Sequence, residues 1–211
     1  MGKEIKGYSP AEERANVLTH LAGGALFLFG IVPLWKLYAG DDLALRIGVV
    51  VYYLTILAMF GSSVSYHCAK QQEHRIFLRK CDHAAIYFLI AGTYTPIFLG
   101  PLKSGFGIFL LSLLWTLACC GTLVKFFVSQ RYHWIDVLLY IIMGWCALIV
   151  FKPLCRNFPA DGLAFLIGGG VVYTAGVSLY AWKAPFAHTW WHVVVFAGAL
   201  LHYLAILSLR W

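Results

Sequence analysis

The chain has 211 residues, of which 61% are hydrophobic and only 12% charged, with a net charge of +7 and a mean hydropathy of +0.77. A soluble domain carries about 25% charged residues, so the composition excludes one and points to an integral membrane protein. The basic excess reads as membrane orientation and attraction to anionic headgroups; nucleic-acid binding would need a soluble basic domain, which is absent.

Residues 1–16 form a polar lead of mixed charge, without the short apolar run and small-residue cleavage site of a signal peptide, so the first span is expected to serve as its own insertion signal. Within this lead, Ser9, Pro10 and Glu12 have the spacing of a capping box with proline at the first helical position. The helix they start is expected to run along the interface and into the first span. Glu13, Asn16 and His20 follow at helical spacing, one stripe able to hydrogen-bond inward.

Seven segments are long enough to cross a hydrocarbon core of about 30 Å at roughly 20 residues each. They lie at about 17–38, 43–66, 81–100, 105–128, 134–154, 162–182 and 187–209. The expected fold is therefore an all-α polytopic membrane protein, one domain over residues 1–211 with seven transmembrane helices. Lys and Arg near the span ends divide unevenly. Lys3, Lys6, Arg14, Lys70, Arg75, Arg79, Lys80, Lys125, Arg131 and Lys183 fall on one side. Lys36, Arg46, Lys103, Lys152, Arg156 and Arg210 fall on the other. The bias puts the N-terminus in the cytoplasm and, after seven crossings, the C-terminus outside.

The second span ends in Ser63-x-x-x-His67, two polar residues on one helix face. Residues 68–80 are the most charged stretch and read as a solvated turn. Asp82 then opens the third span, where a capping role toward the helix dipole stands beside a functional one; Gly92 and Pro96 allow a bend or close packing. The fifth span brings a second carboxylate, Asp136. Gly168, Gly169, Gly170 and Gly176 in the sixth are small residues for helix packing. The six cysteines lack metal-like spacing and read as reduced packing residues. Trp134, Trp182, Trp190 and Trp191 suit an aromatic belt.

The seventh span opens with His188 and His192, four residues apart on one face. Polar imidazoles at membrane depth must face protein, water or a metal. The N-in, seven-span arrangement brings Ser63, His67, Asp82, His188 and His192 to one level near the inner leaflet. Three histidines are a catalytic zinc set with a fourth position open. Asp82 can then orient or deprotonate a water, and Ser63 can hydrogen-bond that water or a substrate carbonyl, which suits attack on an ester or amide. A purely structural polar cluster remains an alternative. Haem does not fit, since two histidines on one face of one helix cannot supply opposing axial ligands. His202, about 21 Å along the helix from His188, is expected to bond between helices instead.

With these motifs in hand, the sequence resembles the hemolysin III group of the progestin and adipoQ receptor family. The resemblance runs over nearly the whole chain and rests on Glu13-x-x-Asn16-x-x-Thr19-His20, on Ser63-x-x-x-His67 with Asp82, and on His188-x-x-x-His192. It implies a seven-helix zinc protein with His67, His188 and His192 as metal ligands and Asp82 and Ser63 beside the ion. Adiponectin receptors and alkaline ceramidases, further relatives, imply hydrolysis of a lipid amide, so the expected partner is a membrane lipid. The hemolysin III name implies cytolysis, and bacterial members imply a part in membrane homeostasis. The chain departs from the receptors in its short N-terminal lead and in Asp82-His83-Ala84, where they carry an Asp-Tyr pair. Three readings follow: a zinc-dependent lipid amide or ester hydrolase, a non-catalytic zinc-stabilised membrane sensor, and a pore-forming cytolysin. The last gains little from the spans, which lack a repeated polar stripe.

Overall fold

A computed structural model describes residues 7–38, 42–127 and 133–209, and every described element is helical. The elements are α1 (Pro10–Tyr38), α2 (Leu43–Cys68), α3 (Gln72–Leu99), α4 (Gly105–Phe127) and α5 (His133–Gly144). A 3-10 turn (Trp145–Leu148), α6 (Phe151–Asn157), α7 (Ala160–Ala181) and α8 (Ala187–Leu207) complete the order. Lys3, Lys6, Arg131 and Arg210 of the charge count lie outside the described residues.

Helix α1 starts as its spacing predicts. Ser9 N–H donates to Glu12 Oε2 at 2.9 Å while Glu12 N–H donates to Ser9 Oγ at 3.3 Å, the reciprocal capping box. From Pro10 onward the lead and the first span form a single helix of 29 residues.

Five helices, α1, α2, α4, α7 and α8, are long and apolar enough to cross a membrane. A sixth span is broken: the helix expected over 134–154 bends by 55° between Trp134–Leu148 and Phe151–Asn157. Pro153 explains the break. It has no N–H to donate and its ring clashes with the carbonyl four residues back, that of Ile149. The backbone accordingly leaves the α-helix there: Val150 takes φ −110° and ψ 23°, and Ile149 and Val150 bond in 3-10 fashion to Cys146 and Ala147.

Helix α3 corrects two expectations. The charged stretch 68–80 is mostly helix rather than turn, because α3 begins at Gln72 with Glu73 in its first turn. Asp82 therefore lies ten residues into the helix and caps nothing. At 28 residues α3 has the length of a span, but its polar first half keeps it short of the hydropathy of the other five. Its second half is the centre of the bundle, with residues 91–98 all buried. The backbones of α2 and α3 meet closely: a Cβ on Gly48 would stand 2.8 Å from Pro96 Cα, and one on Gly92 would collide with Thr55.

The glycines of α7 pack as expected, with Gly169 against His202 and Gly176 against Val194 and Trp191. His202 Nε2 lies 3.2 Å from the Leu166 carbonyl, an interhelical hydrogen bond. All six cysteines are free. Trp134, Trp182 and Trp190 are exposed, as an interfacial belt requires. Trp191 is the exception: one residue further round the helix, it turns inward to lie 5.7 Å from the Tyr180 ring.

Candidate metal centre

The ends of α1, α2 and α8 meet at one level, and that level carries the histidines. One nitrogen from each of His67, His188 and His192 lies within 4.8 Å of the others. Nε2 of His188 and Nε2 of His192 are 3.2 Å apart, near the separation of about 3.3 Å that two ligands at 2.0–2.1 Å from a tetrahedral zinc adopt. The ring centroid of His67 stands 5.2 Å from that of His188 and 5.0 Å from that of His192.

Their protonation follows from what lies behind them. Glu13 Oε2 is 2.7 Å from His67 Nδ1, and a carboxylate only accepts, so Nδ1 carries a hydrogen and the neutral tautomer has its lone pair on Nε2. The Asn16 amide nitrogen, 3.5 Å from the same Nδ1, is too far to compete. His192 Nδ1 likewise faces an acceptor, the Asn16 backbone carbonyl at 3.2 Å, which leaves its Nε2 as a lone pair. His67 Nε2 is buried with no partner. An unpartnered Nε2 on His67 beside the Nε2 atoms of His188 and His192, with acceptors behind the far nitrogens of His67 and His192, is the arrangement of a metal ligand set. The residues present fit a metal ion.

A second layer holds the first in place. Glu13 also pairs with Arg75 of α3, so one carboxylate joins three helices. Thr189 Oγ1 donates to Asn16 Oδ1 at 2.6 Å, and Thr19 Oγ1 stands 3.4 Å from His192 Nδ1. The His20 ring stacks on His192 at 3.6 Å, and Tyr8 stacks on His188 at 4.7 Å. Phe186, in left-handed backbone at φ 59°, donates its N–H to Glu12 Oε1 at 2.8 Å just before α8 begins. The Glu13, Asn16 and His20 stripe was legible from spacing. Tyr8, Thr189, Arg75 and the Glu12–Phe186 bond were not, since nothing in their local sequence marks them.

Beside the histidines lies a cavity of about 380 Å³. Ser63, Asp82, His188 and His192 line one part of it, and Leu154, Leu163 and Leu166 another. Ser63 Oγ is buried without a hydrogen-bond partner. Asp82, half-buried, has His67, Ser63, Arg79 and Lys125 as its polar neighbours. Asp136 lies in the same wall and bonds to Tyr87 and Lys125 rather than to the histidines.

Fold and centre together define a multi-pass helical membrane protein with a three-histidine group able to hold a metal ion. Residues 8–203 match the Haemolysin-III related family, and the chain belongs to it. It is 36% identical over 198 residues to a hemolysin-3 homolog of Bacillus subtilis (strain 168), covering 93% of each chain. Identity to hemolysin-3 of Bacillus cereus is 34% over 198 residues, covering 93% of this chain and 90% of the relative. The human monocyte to macrophage differentiation factor is 30% identical over 212 residues, covering 94% of this chain and 85% of the relative. The family and the apolar helices make this a multi-pass membrane protein, in bacteria a protein of the cell membrane.

Proposed function

We propose that the protein is a zinc-dependent hydrolase of lipid amides or esters, acting near the inner leaflet. In this reading the chain is a single domain with seven spans and a cytoplasmic N-terminus. Helix α3 serves as the remaining span, with Arg75 and Asp82 turned to the site. The Lys and Arg bias supports that orientation. The observation that carries the reading is the convergence of three imidazoles beside a cavity lined by both polar and apolar side chains, most of its surface apolar.

Three neutral nitrogen ligands with a fourth position open are the donor set of catalytic zinc, which polarises a carbonyl and makes water a nucleophile near neutral pH. Glu13 and the Asn16 carbonyl fix the ring orientations of His67 and His192. The Ser63 hydroxyl donates to the substrate carbonyl. The Asp82 carboxylate takes a proton from the attacking water and returns it to the leaving nitrogen or oxygen, so that acid and amine or alcohol depart with atoms balanced. The apolar part of the cavity holds the acyl chain and excludes bulk water.

The test is incubation of purified, zinc-loaded protein with a broad panel of amide and ester lipids, wild type beside Asp82→Ala. Release of fatty acid by wild type, lost in the variant while zinc stays bound, is the expected result. No release from any lipid removes the hydrolase reading.

A second reading is a non-catalytic sensor in which zinc pins helices that respond to lipid packing. The spread of the ligands over α2 and α8, with α1 and α3 in the second layer, favours it. It expects the Asp82→Ala variant to keep its cellular function. The cytolysin reading draws on the names of the Bacillus relatives, and conductance in planar bilayers tests it.

A further inference from the structure

A second polar group reaches the cavity wall at Asp136 and makes no bond to the histidines. Lys125, in the last turn of α4, has 4% of its side chain exposed and is paired with Asp136 of α5. Tyr87 of α3 donates its hydroxyl to Asp136 Oδ1 at 2.9 Å, while Lys125 takes Oδ2. Buried ionisable groups are costly, and a buried ion pair is weak evidence for stability alone. A carboxylate has about four lone-pair sites, and among the described residues these two donors use two of them. The side chain of Asp136 is still 15% exposed, and it is the cavity that it faces.

The group lies on the same rim as the histidines. Asp136 stands in the first turn of α5 and His188 in the first turn of α8. Between them runs a series of contacts. The His188 ring is 6.4 Å from Tyr180, and Tyr180 is 6.5 Å from His83. The His83 carbonyl accepts from Tyr140 at 2.8 Å, and Tyr140 packs at 4.4 Å on Tyr87, the holder of Asp136. Leaving the rim, the walls become apolar through Ile90, Ile141, Leu163 and Leu166.

We propose that Asp136 is a head-group contact: it accepts a hydrogen bond from a hydroxyl or amino group of an amphiphile whose carbonyl lies at the histidines and whose chain fills the apolar part of the cavity. Lys125 and Tyr87 are positioning residues, fixing the carboxylate so that its free lone pairs face the ligand. The inference rests on the lipid-binding part of the reading above and not on turnover. A site built around a buried acceptor rejects the analogue lacking the donor, because the acceptor is then left dry and unpaired.

Two probes differing by one hydroxyl test it: N-palmitoylethanolamine and N-palmitoylethylamine. Each is equilibrated on ice with zinc-loaded, solubilised protein, and the retained lipid is extracted and counted as intact plus cleaved. Wild type should retain the hydroxylated probe about tenfold more tightly or better, the value of a hydrogen bond to a charged group. Asp136→Asn should remove most of that preference while leaving the zinc content and the binding of N-palmitoylethylamine unchanged. Should Asp136→Asn fail to fold, Tyr87→Phe, which leaves the carboxylate less firmly held, should reduce the preference instead. Equal binding of the two probes by wild type overturns the proposal, as does a preference that survives in Asp136→Asn or, where that variant does not fold, in Tyr87→Phe. Retention of neither probe removes the cavity as a lipid site and this contact with it. A preference for the hydroxyl without any cleaved product removes hydrolysis and leaves the contact standing.

Discussion

The Glu13 carboxylate lies 2.7 Å from His67 Nδ1 and on its other oxygen pairs with Arg75. It thereby orients the ring of a candidate metal ligand and ties it to a neighbouring helix. Replacing such an outer partner typically costs 10–100-fold in metal affinity. Glu13→Gln, which keeps the shape and loses the charge, should weaken zinc binding by about that factor. Competition against a chromogenic chelator reads it directly, and unchanged affinity would mean that His67 needs no orienting partner.

Asn16 is fully buried and accepts from Thr189 at 2.6 Å. Asn16→Ala leaves the Thr189 hydroxyl without that acceptor and opens a small void where α1 meets α8. The expected loss is about 1–3 kcal/mol of stability, seen as a lower melting temperature in detergent. Asn16→Ala/Thr189→Ala should lose less than the sum of the single variants, because the two side chains act as a pair.

Helices α2 and α3 come together at Gly92, where an added methyl group would overlap Thr55. Gly92→Ala should therefore destabilise by about 1–3 kcal/mol through overpacking, and adding Thr55→Ala should recover part of it. Thermal melting of the two variants measures the difference. A Gly92→Ala protein as stable as wild type would show that the helices can separate without cost.

Zinc that binds the folded chain alone raises its stability by about 2.7 kcal/mol at a hundred times the dissociation constant. Melting in the presence of a strong chelator should thus occur at lower temperature than with zinc. His188→Ala should show no such dependence, since it lacks one of three ligands. A chelator shift of equal size in wild type and His188→Ala would place the stabilising ion elsewhere.

Much of this was legible in the sequence because the bilayer restricts the options. Apolar runs fix helices, and i,i+4 spacing fixes which polar residues share a face, so His67, His188, His192 and the Glu13, Asn16, His20 stripe could be placed before any coordinates. The bend at Val150 was also written in the chain, in Pro153, but within an unbroken apolar run the proline gave no polar signal. The helical start of α3 was hidden for the opposite reason: its charges resemble a solvated turn, although Glu73 to Lys80 continue the helix that carries Asp82. Tyr8 and Thr189 reach the centre only through the packing of α1 on α8, a relation that no local pattern encodes.

The central claim is that His67, His188 and His192 hold one metal ion between them, and elemental analysis of the purified protein tests it most directly. Wild type should carry a single zinc per chain, and the three single alanine variants, folded by circular dichroism, should each lose it. A wild type free of metal when purified without chelator and supplied with zinc, or variants that retain the ion in full, would contradict the account.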